Sequence, residues 1–248
     1  MSVSFQLYSS RDVTSQEAFL PTLKGLGYSQ VEGYFGIYPE AEKFRAALDA
    51  AGLTMPSCHM GLSDLEGDFD GYVSTAKTLG IHRIFAPYLD ASLRPADTEG
   101  WKAFAGRLSE MGSRLADVGL AFGWHNHDFE LVALADGGVP LDIILTEAPD
   151  IDWEGDLAWI ARAGADVSAY VARYSRQLTA VHVKDLAPTG ENLDEDGWSD
   201  VGTGIIDWPA LVAQVRAVSS DILMVMEHDK PSDALRFATT SIDNFKSF

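Results

Sequence analysis

The chain has 248 residues, 46% hydrophobic and 22% charged, enough to bury a sizeable core. Its 18 Lys and Arg against 37 Asp and Glu give a formal charge of −19, which makes nucleic acid and membrane surfaces poor partners. The single cysteine, Cys58, cannot form an internal disulfide; with no leader or spanning segment in view, the expected compartment is the cytoplasm.

In chain order, Val3-Ser4-Phe5-Gln6-Leu7-Tyr8 alternates like a strand, and residues 15–26 carry Phe19, Leu20, Leu23 and Leu26 at helical spacing before Gly27. Residues 30–34 read as strand and 39–51 as helix, then 54–60 strand, 65–79 helix, 82–87 strand and 98–118 helix. A strand over 120–127 precedes a helix over 140–148; a strand over 151–156 precedes helical turns over 157–174. Residues 178–184 are strand, 187–204 a polar loop, 208–218 helix, 222–227 strand and 231–245 helix. Eight strand–helix units without a linker or internal repeat predict an α/β protein, one (β/α)₈ TIM barrel over residues 1–248. The competing doubly wound sheet lacks a phosphate-binding glycine fingerprint after its first strand.

Barrel active sites gather at the C-terminal ends of strands. Those ends hold Glu32, His59, His125 with His127, Asp156, His182 with Lys184, and Glu227 with Asp229. Each has a plainer reading: a rim salt bridge for Glu32, a core histidine for His59, a helix cap for Asp156, a surface ion pair for Lys184 with Asp185. Glu227 is hardest to dismiss, because it ends the apolar run Ile222-Leu223-Met224-Val225-Met226, where a carboxylate is costly unless paired or metal-bound. Asp156, His182 and Glu227 end three successive strands and should converge above the barrel axis. Their oxygen and imidazole donors suit one divalent ion, Mn²⁺, Co²⁺, Fe²⁺, Mg²⁺ or Zn²⁺. His125 or His127 stands where a fourth ligand is needed.

The chain resembles the xylose isomerase-like barrel superfamily of sugar isomerases and epimerases along essentially its whole length. The marks are Gln6-Leu7-Tyr8-Ser9, Val31-Glu32, Ser57-Cys58-His59, His125-Asn126-His127-Asp128-Phe129-Glu130, Asp156-Leu157-Ala158-Trp159, His182-Val183-Lys184-Asp185, Val201-Gly202-Thr203-Gly204 and Glu227-His228-Asp229. The resemblance implies a metal held by an acid, an acid, a histidine and an acid from the last four strands. Asp156, His182 and Glu227 match the last three. The first slot, normally Glu, falls on His125; His127 faces the same way, and Glu130 is a third candidate that more resembles a substrate-contacting Glu.

The expectation is therefore a divalent-metal-dependent sugar or keto-sugar isomerase or epimerase, moving a proton through a metal-stabilised enediolate. Metal ligands would be His125, Asp156, His182 and Glu227. Glu227 and one of His125 or His127 would act as acid and base, with Lys184 donating to a substrate oxygen. Glu32, His59, Glu130 and Trp159 would contact substrate. The alternatives are a dehydratase or lyase on a keto-sugar or inosose, and a non-catalytic sugar-binding barrel. The partner is a small sugar, and a homo-oligomer is allowed. An endonuclease-type three-zinc relative is disfavoured by the acidic charge.

Overall fold

A computed structural model describes residues 3–248. Eight parallel strands close into a barrel in the order β1-β10-β7-β6-β5-β4-β3-β2. The strands are β1 (Val3–Gln6), β2 (Gln30–Gly33), β3 (Thr54–His59), β4 (Arg83–Ala86), β5 (Ala121–His125), β6 (Asp152–Asp156), β7 (Leu178–Val183) and β10 (Leu223–Met226). Residues β8 (Asp185–Leu186) and β9 (Trp198–Ser199) form a separate antiparallel ribbon inside the long loop after β7.

The helices are α1 (Gln16–Leu26), α2 (Ala41–Ala51), α3 (Leu62–Gly67), α4 (Phe69–Leu79), α5 (Thr98–Ala116), α6 (Pro140–Glu147), α7 (Leu157–Arg162), α8 (Val167–Arg173), α9 (Trp208–Val218) and α10 (Ala234–Phe245). Several begin where a side chain caps a free amide: Ser15 accepts from Ala18 N, Asp97 from Gly100 N and Asp207 from Ala210 N. Among the described residues, no helix is long and apolar enough to cross a membrane.

One expected helix is broken, and the one run of expected helical turns forms two helices. The segment 65–79 divides at Asp68, whose side chain accepts from Gly71 N and restarts the helix as α4. The segment 157–174 divides near Gly164, which takes a left-handed φ of 78°. The first strand stops at Gln6, because Leu7–Ser10 turn into a 3₁₀ helix capped by the Gln6 side chain.

The main apolar core lies between strands and helices. Phe5 packs edge-on against Tyr28 at a centroid distance of 5.4 Å and tilted against Phe237 at 5.7 Å. Tyr28 Oη donates to Ala238 O at 2.9 Å, and His228 N donates to Ser9 Oγ at 2.9 Å; both bonds tie the first strand region to the last. Gly123 sits opposite Asp152, and a Cβ there would collide with the Asp152 carbonyl oxygen. The bare backbone lets β5 and β6 close, which in turn sets His125 beside Glu154 in register.

Candidate active site

At the C-terminal mouth, β2, β3, β5, β6, β7 and β10 deliver a buried polar cluster beneath a cavity of about 600 Å³. Strand alternation explains the grouping: Glu154 and Asp156 are two apart on β6 and share the inward face. The Glu154 Oε2 atom lies 2.6 Å from His59 Nε2, 3.1 Å from His125 Nδ1 and 3.3 Å from His182 Nε2. Glu32 lies alongside, accepting from Gln6 Nε2 at 2.8 Å and Ser57 Oγ at 2.5 Å, and 2.8 Å from His182 Nε2.

The other edge of the His182 ring faces a different group. Its Nδ1 is 3.8 Å from Asp156 Oδ2. Lys184, fully enclosed, places Nζ 3.0 Å from Asp156 Oδ2, 2.5 Å from Glu227 Oε2 and 2.7 Å from Asp229 Oδ2. Only the Asp229 contact also has the angles of a hydrogen bond. Asp156 meanwhile accepts from Trp159 N at 2.9 Å through Oδ1, so it caps α7 with one oxygen and faces the site with the other.

Burial sets the protonation. Two buried carboxylates, Glu32 and Glu154, sit among three imidazoles. Desolvation and Glu154 raise Glu32, whereas the surrounding imidazoles overcome desolvation and hold Glu154 well below the usual carboxylate range. Desolvation opposes a charge on His182, but Glu154 and Glu32 raise its pKa well above that of an ordinary imidazole; an ion at Nδ1 would displace that proton. Desolvation, with His182 alongside, holds His125 neutral, and burial pulls His127 down to about 3. Burial and Asp229 push Glu227 up to about 7 against the pull of Lys184. Lys184 stays charged, because its three carboxylates outweigh desolvation. Burial lifts Glu130 to about 8.

The model of the xylose isomerase-like TIM barrel matches residues 20–246. The chain belongs to that family. No curated relative is similar enough in sequence to be matched. Among solved structures, a sugar phosphate isomerase/epimerase from Parabacteroides distasonis is 15% identical at a TM-score of 0.83, covering 99% of this chain and 93% of its own. A probable 3-DHS dehydratase, AsbF, from Bacillus anthracis is 13% identical at 0.81, covering 99% of each chain. An IolI protein with a zinc atom is 14% identical at 0.81, covering 100% of this chain and 97% of its own. Such low identities show the common fold.

In this xylose isomerase-like barrel the four expected metal ligands divide into two groups that share His182. Asp156, His182 and Glu227 can offer one ligand atom each within 4.8 Å of one another; His125 instead joins His59, Glu154 and His182. The donors fit a divalent ion: Asp156 Oδ2, His182 Nδ1, Glu227 Oε2, His125 Nδ1 and Glu154 Oε1 are all buried without a hydrogen-bond partner. Lys184 lies close to Asp156 Oδ2 and Glu227 Oε2, but His182 Nδ1 and Glu154 Oε1 lack even that contact, and so many poorly bonded buried atoms are costly unless something electrophilic meets them. The mixed carboxylate–imidazole group suits Mn²⁺, Mg²⁺ or Co²⁺; the three-imidazole group suits Zn²⁺ or Fe²⁺ better.

The other expected residues fall differently. His59, His127 and Lys184 line the cavity. Glu32, Glu130 and Trp159 do not. Glu130 is wholly buried, accepting from Trp124 Nε1 at 3.0 Å and His127 N at 3.0 Å, so it shapes the loop after β5. Trp159 packs on Trp198 at 4.6 Å and carries Lys184 Nζ 5.2 Å above its ring. Asp185 is no surface ion pair: it accepts from the backbone of Leu186, Gly202, Gly204 and Ile206 and pins the long loop. Glu154 was missed. Its parity with Asp156 in Trp153-Glu154-Gly155-Asp156 was the available signal.

Beside the site, His228 is buried, with Nδ1 accepting from Lys230 N at 3.1 Å and Nε2 3.4 Å from Glu195 Oε2. Burial holds this ring down to about 4. The unfolded chain takes up its proton near pH 6.5 and the folded chain does not, so stability is full above about 6.5 and lost as pH falls towards about 4. His228 alone accounts for up to about 3 kcal/mol of that loss, and His125 and His127 act in the same direction. In urea unfolding at pH 7 and pH 4.5, His228→Asn, which keeps an acceptor for Lys230 N, should lose about 2 kcal/mol less than wild type. Equal losses would show that His228 is not the group responsible.

Proposed function

We propose that the protein is a divalent-metal-dependent enzyme that removes and returns the proton beside the carbonyl of a sugar or keto-sugar, as an isomerase or epimerase. One observation carries the reading. Ligand-type atoms of Asp156, His182 and Glu227 lie buried within 4.8 Å of one another, without an aligned hydrogen bond, next to a cavity that Glu227 also lines. Family neighbours named as an isomerase/epimerase and a dehydratase support the same opening chemistry, and the zinc-containing neighbour supports a metal.

Asp156, His182 and Glu227 would hold the ion. When bound, it supplies Lewis-acid polarisation of a carbonyl and neutralises charge developing on its oxygen. Glu227, poised near neutrality, is suited to take the proton and return it. His127 is neutral, and its Nδ1 is buried and unpartnered in a ring that lines the cavity; it serves as the second proton carrier. Lys184 keeps Asp156, Glu227 and Asp229 together and their charge balanced.

The test is a keto-sugar panel incubated in D₂O with Mn²⁺ and read by mass spectrometry. Deuterium entering the carbon next to the carbonyl of recovered sugar is expected. An unsaturated product would assign the dehydratase chemistry instead. Absence of both, together with no stoichiometric divalent ion in protein purified without chelator, would leave a non-catalytic sugar-binding barrel.

A further inference from the structure

The cavity walls carry information about the substrate that the floor does not. Among the described residues, the cationic side chains lining the cavity, apart from its imidazoles, are Lys184 and Arg107, and both are already engaged. Lys184 is held by three carboxylates. Arg107 is bidentate to Glu66, at 3.0 Å through Nε and 2.7 Å through Nη2. Facing them in the same cavity are Asp64, Asp90, Glu227 and Asp229. Two more arginines stand near the mouth and do not line it: Arg11 lies on the Tyr8 ring at 4.0 Å and Arg94 on Phe129 at 3.4 Å, the latter also bonded to Leu89 O and Tyr88 Oη. Apart from the ion proposed for the floor, the walls offer a phosphate dianion neither a free cation nor an arginine fork, and they carry a surplus of carboxylates.

The outer wall is apolar and solvent-facing. Phe35, after β2, is 70% exposed; Tyr88 and Leu93, after β4, are 49% and 60% exposed, and all three line the cavity. Exposed aromatic rings beside a polar floor suit the apolar face of a second ring. The volume of about 600 Å³ lies within the range of roughly 300–1,000 Å³ that encloses drug-sized ligands and exceeds what one hexose ring fills.

We infer that the substrate is an uncharged, unphosphorylated sugar carrying a second ring, a glycoside, with its sugar on the histidine–carboxylate floor and its second ring against Phe35, Tyr88 and Leu93. This rests on the sugar-enzyme reading above and names its substrate class.

Calorimetry in Mn²⁺ buffer with D-glucose, D-glucose 6-phosphate and phenyl β-D-glucopyranoside, and with the corresponding galactose set, tests it. The phenyl glycoside is expected to bind at least tenfold tighter than the parent sugar, and the 6-phosphate more weakly than the parent. Phe35→Ala and Tyr88→Ala should each weaken the glycoside at least fivefold. A 6-phosphate that binds more tightly than its parent sugar overturns the inference while sparing the sugar-enzyme reading. Binding of no sugar in either set overturns both. Glycoside affinity unmoved by the two rim substitutions overturns the placement of the second ring.

Discussion

Lys184→Met is expected to destabilise the protein by about 3–5 kcal/mol at pH 7, the usual cost of removing one member of a buried ionic group. The substitution keeps the length of the side chain and deletes only the charge, so cavity formation contributes little. What remains is Asp156, Glu227 and Asp229 facing one another with no ammonium between them. Two further results should follow from the same cause. The deficit should shrink at pH 5, because a protonated carboxyl needs no counter-charge, and Glu227 already titrates near neutrality. Added Mn²⁺ should raise the melting temperature of the variant more than that of wild type, because the ion and the ammonium compete for the same oxygens. Urea titrations at both pH values and thermal melts with and without Mn²⁺ supply the measurements. A loss under 1 kcal/mol at pH 7 would mean that the carboxylates shed their charge in another way. Lys184→Arg should not restore the wild type, because a planar fork does not fit where a compact ammonium meets three acceptors.

Glu227→Gln has the largest expected effect on turnover. General acid–base groups contribute about 10²- to 10⁴-fold, and a group that also helps to hold an ion should lie at the upper end. Stability should not fall. A carboxyl raised from 4.5 to about 7 costs folding free energy progressively as pH rises through that interval, and the neutral amide carries no such cost. The variant should therefore show a flatter dependence of stability on pH between about 4.5 and 7, alongside lost deuterium exchange. In wild type, exchange should climb with pH through the titration of the base, and the residual rate of the variant should not follow that limb. Retained exchange in a folded Gln variant would remove Glu227 from the acid–base role.

Much of this arrangement was legible from residue order. Strand-then-helix alternation, with Gly27, Gly52 and Gly80 closing α1, α2 and α4 in left-handed geometry, marked the βα units, and the barrel rule then pointed to strand ends. His59, His125, His182 and Glu227 were singled out that way, and all four line the one cavity. The breaks at Asp68 and Gly164 were not, because a capping bond or a positive φ can interrupt a hydrophobic stripe without altering it. The β8–β9 ribbon depends on Asp185 reaching backbone amides of residues 202–206, a contact that no local pattern encodes. Glu154 was open to discovery by parity alone. The part played by Lys184 was not, since it depends on carboxylates arriving from β6 and β10, on either side of its own strand.

The seam between β1 and β10 has a consequence for how the protein comes into being. β10 pairs with β1 on one side and β7 on the other, and bonds such as Tyr28 to Ala238 span 210 positions. During synthesis the first seven barrel strands can emerge and begin to pack, but β1 and β7 retain open edges until residues 223–226 leave the ribosome. Glu227 follows directly, so Lys184 and Asp156 wait for their partner until nearly the whole chain is out. The candidate site is thus completed late, and only in molecules whose barrel has closed. Ribosome-bound chains arrested short of β10 would be the aggregation-prone population, with chaperones the natural guardians of that interval.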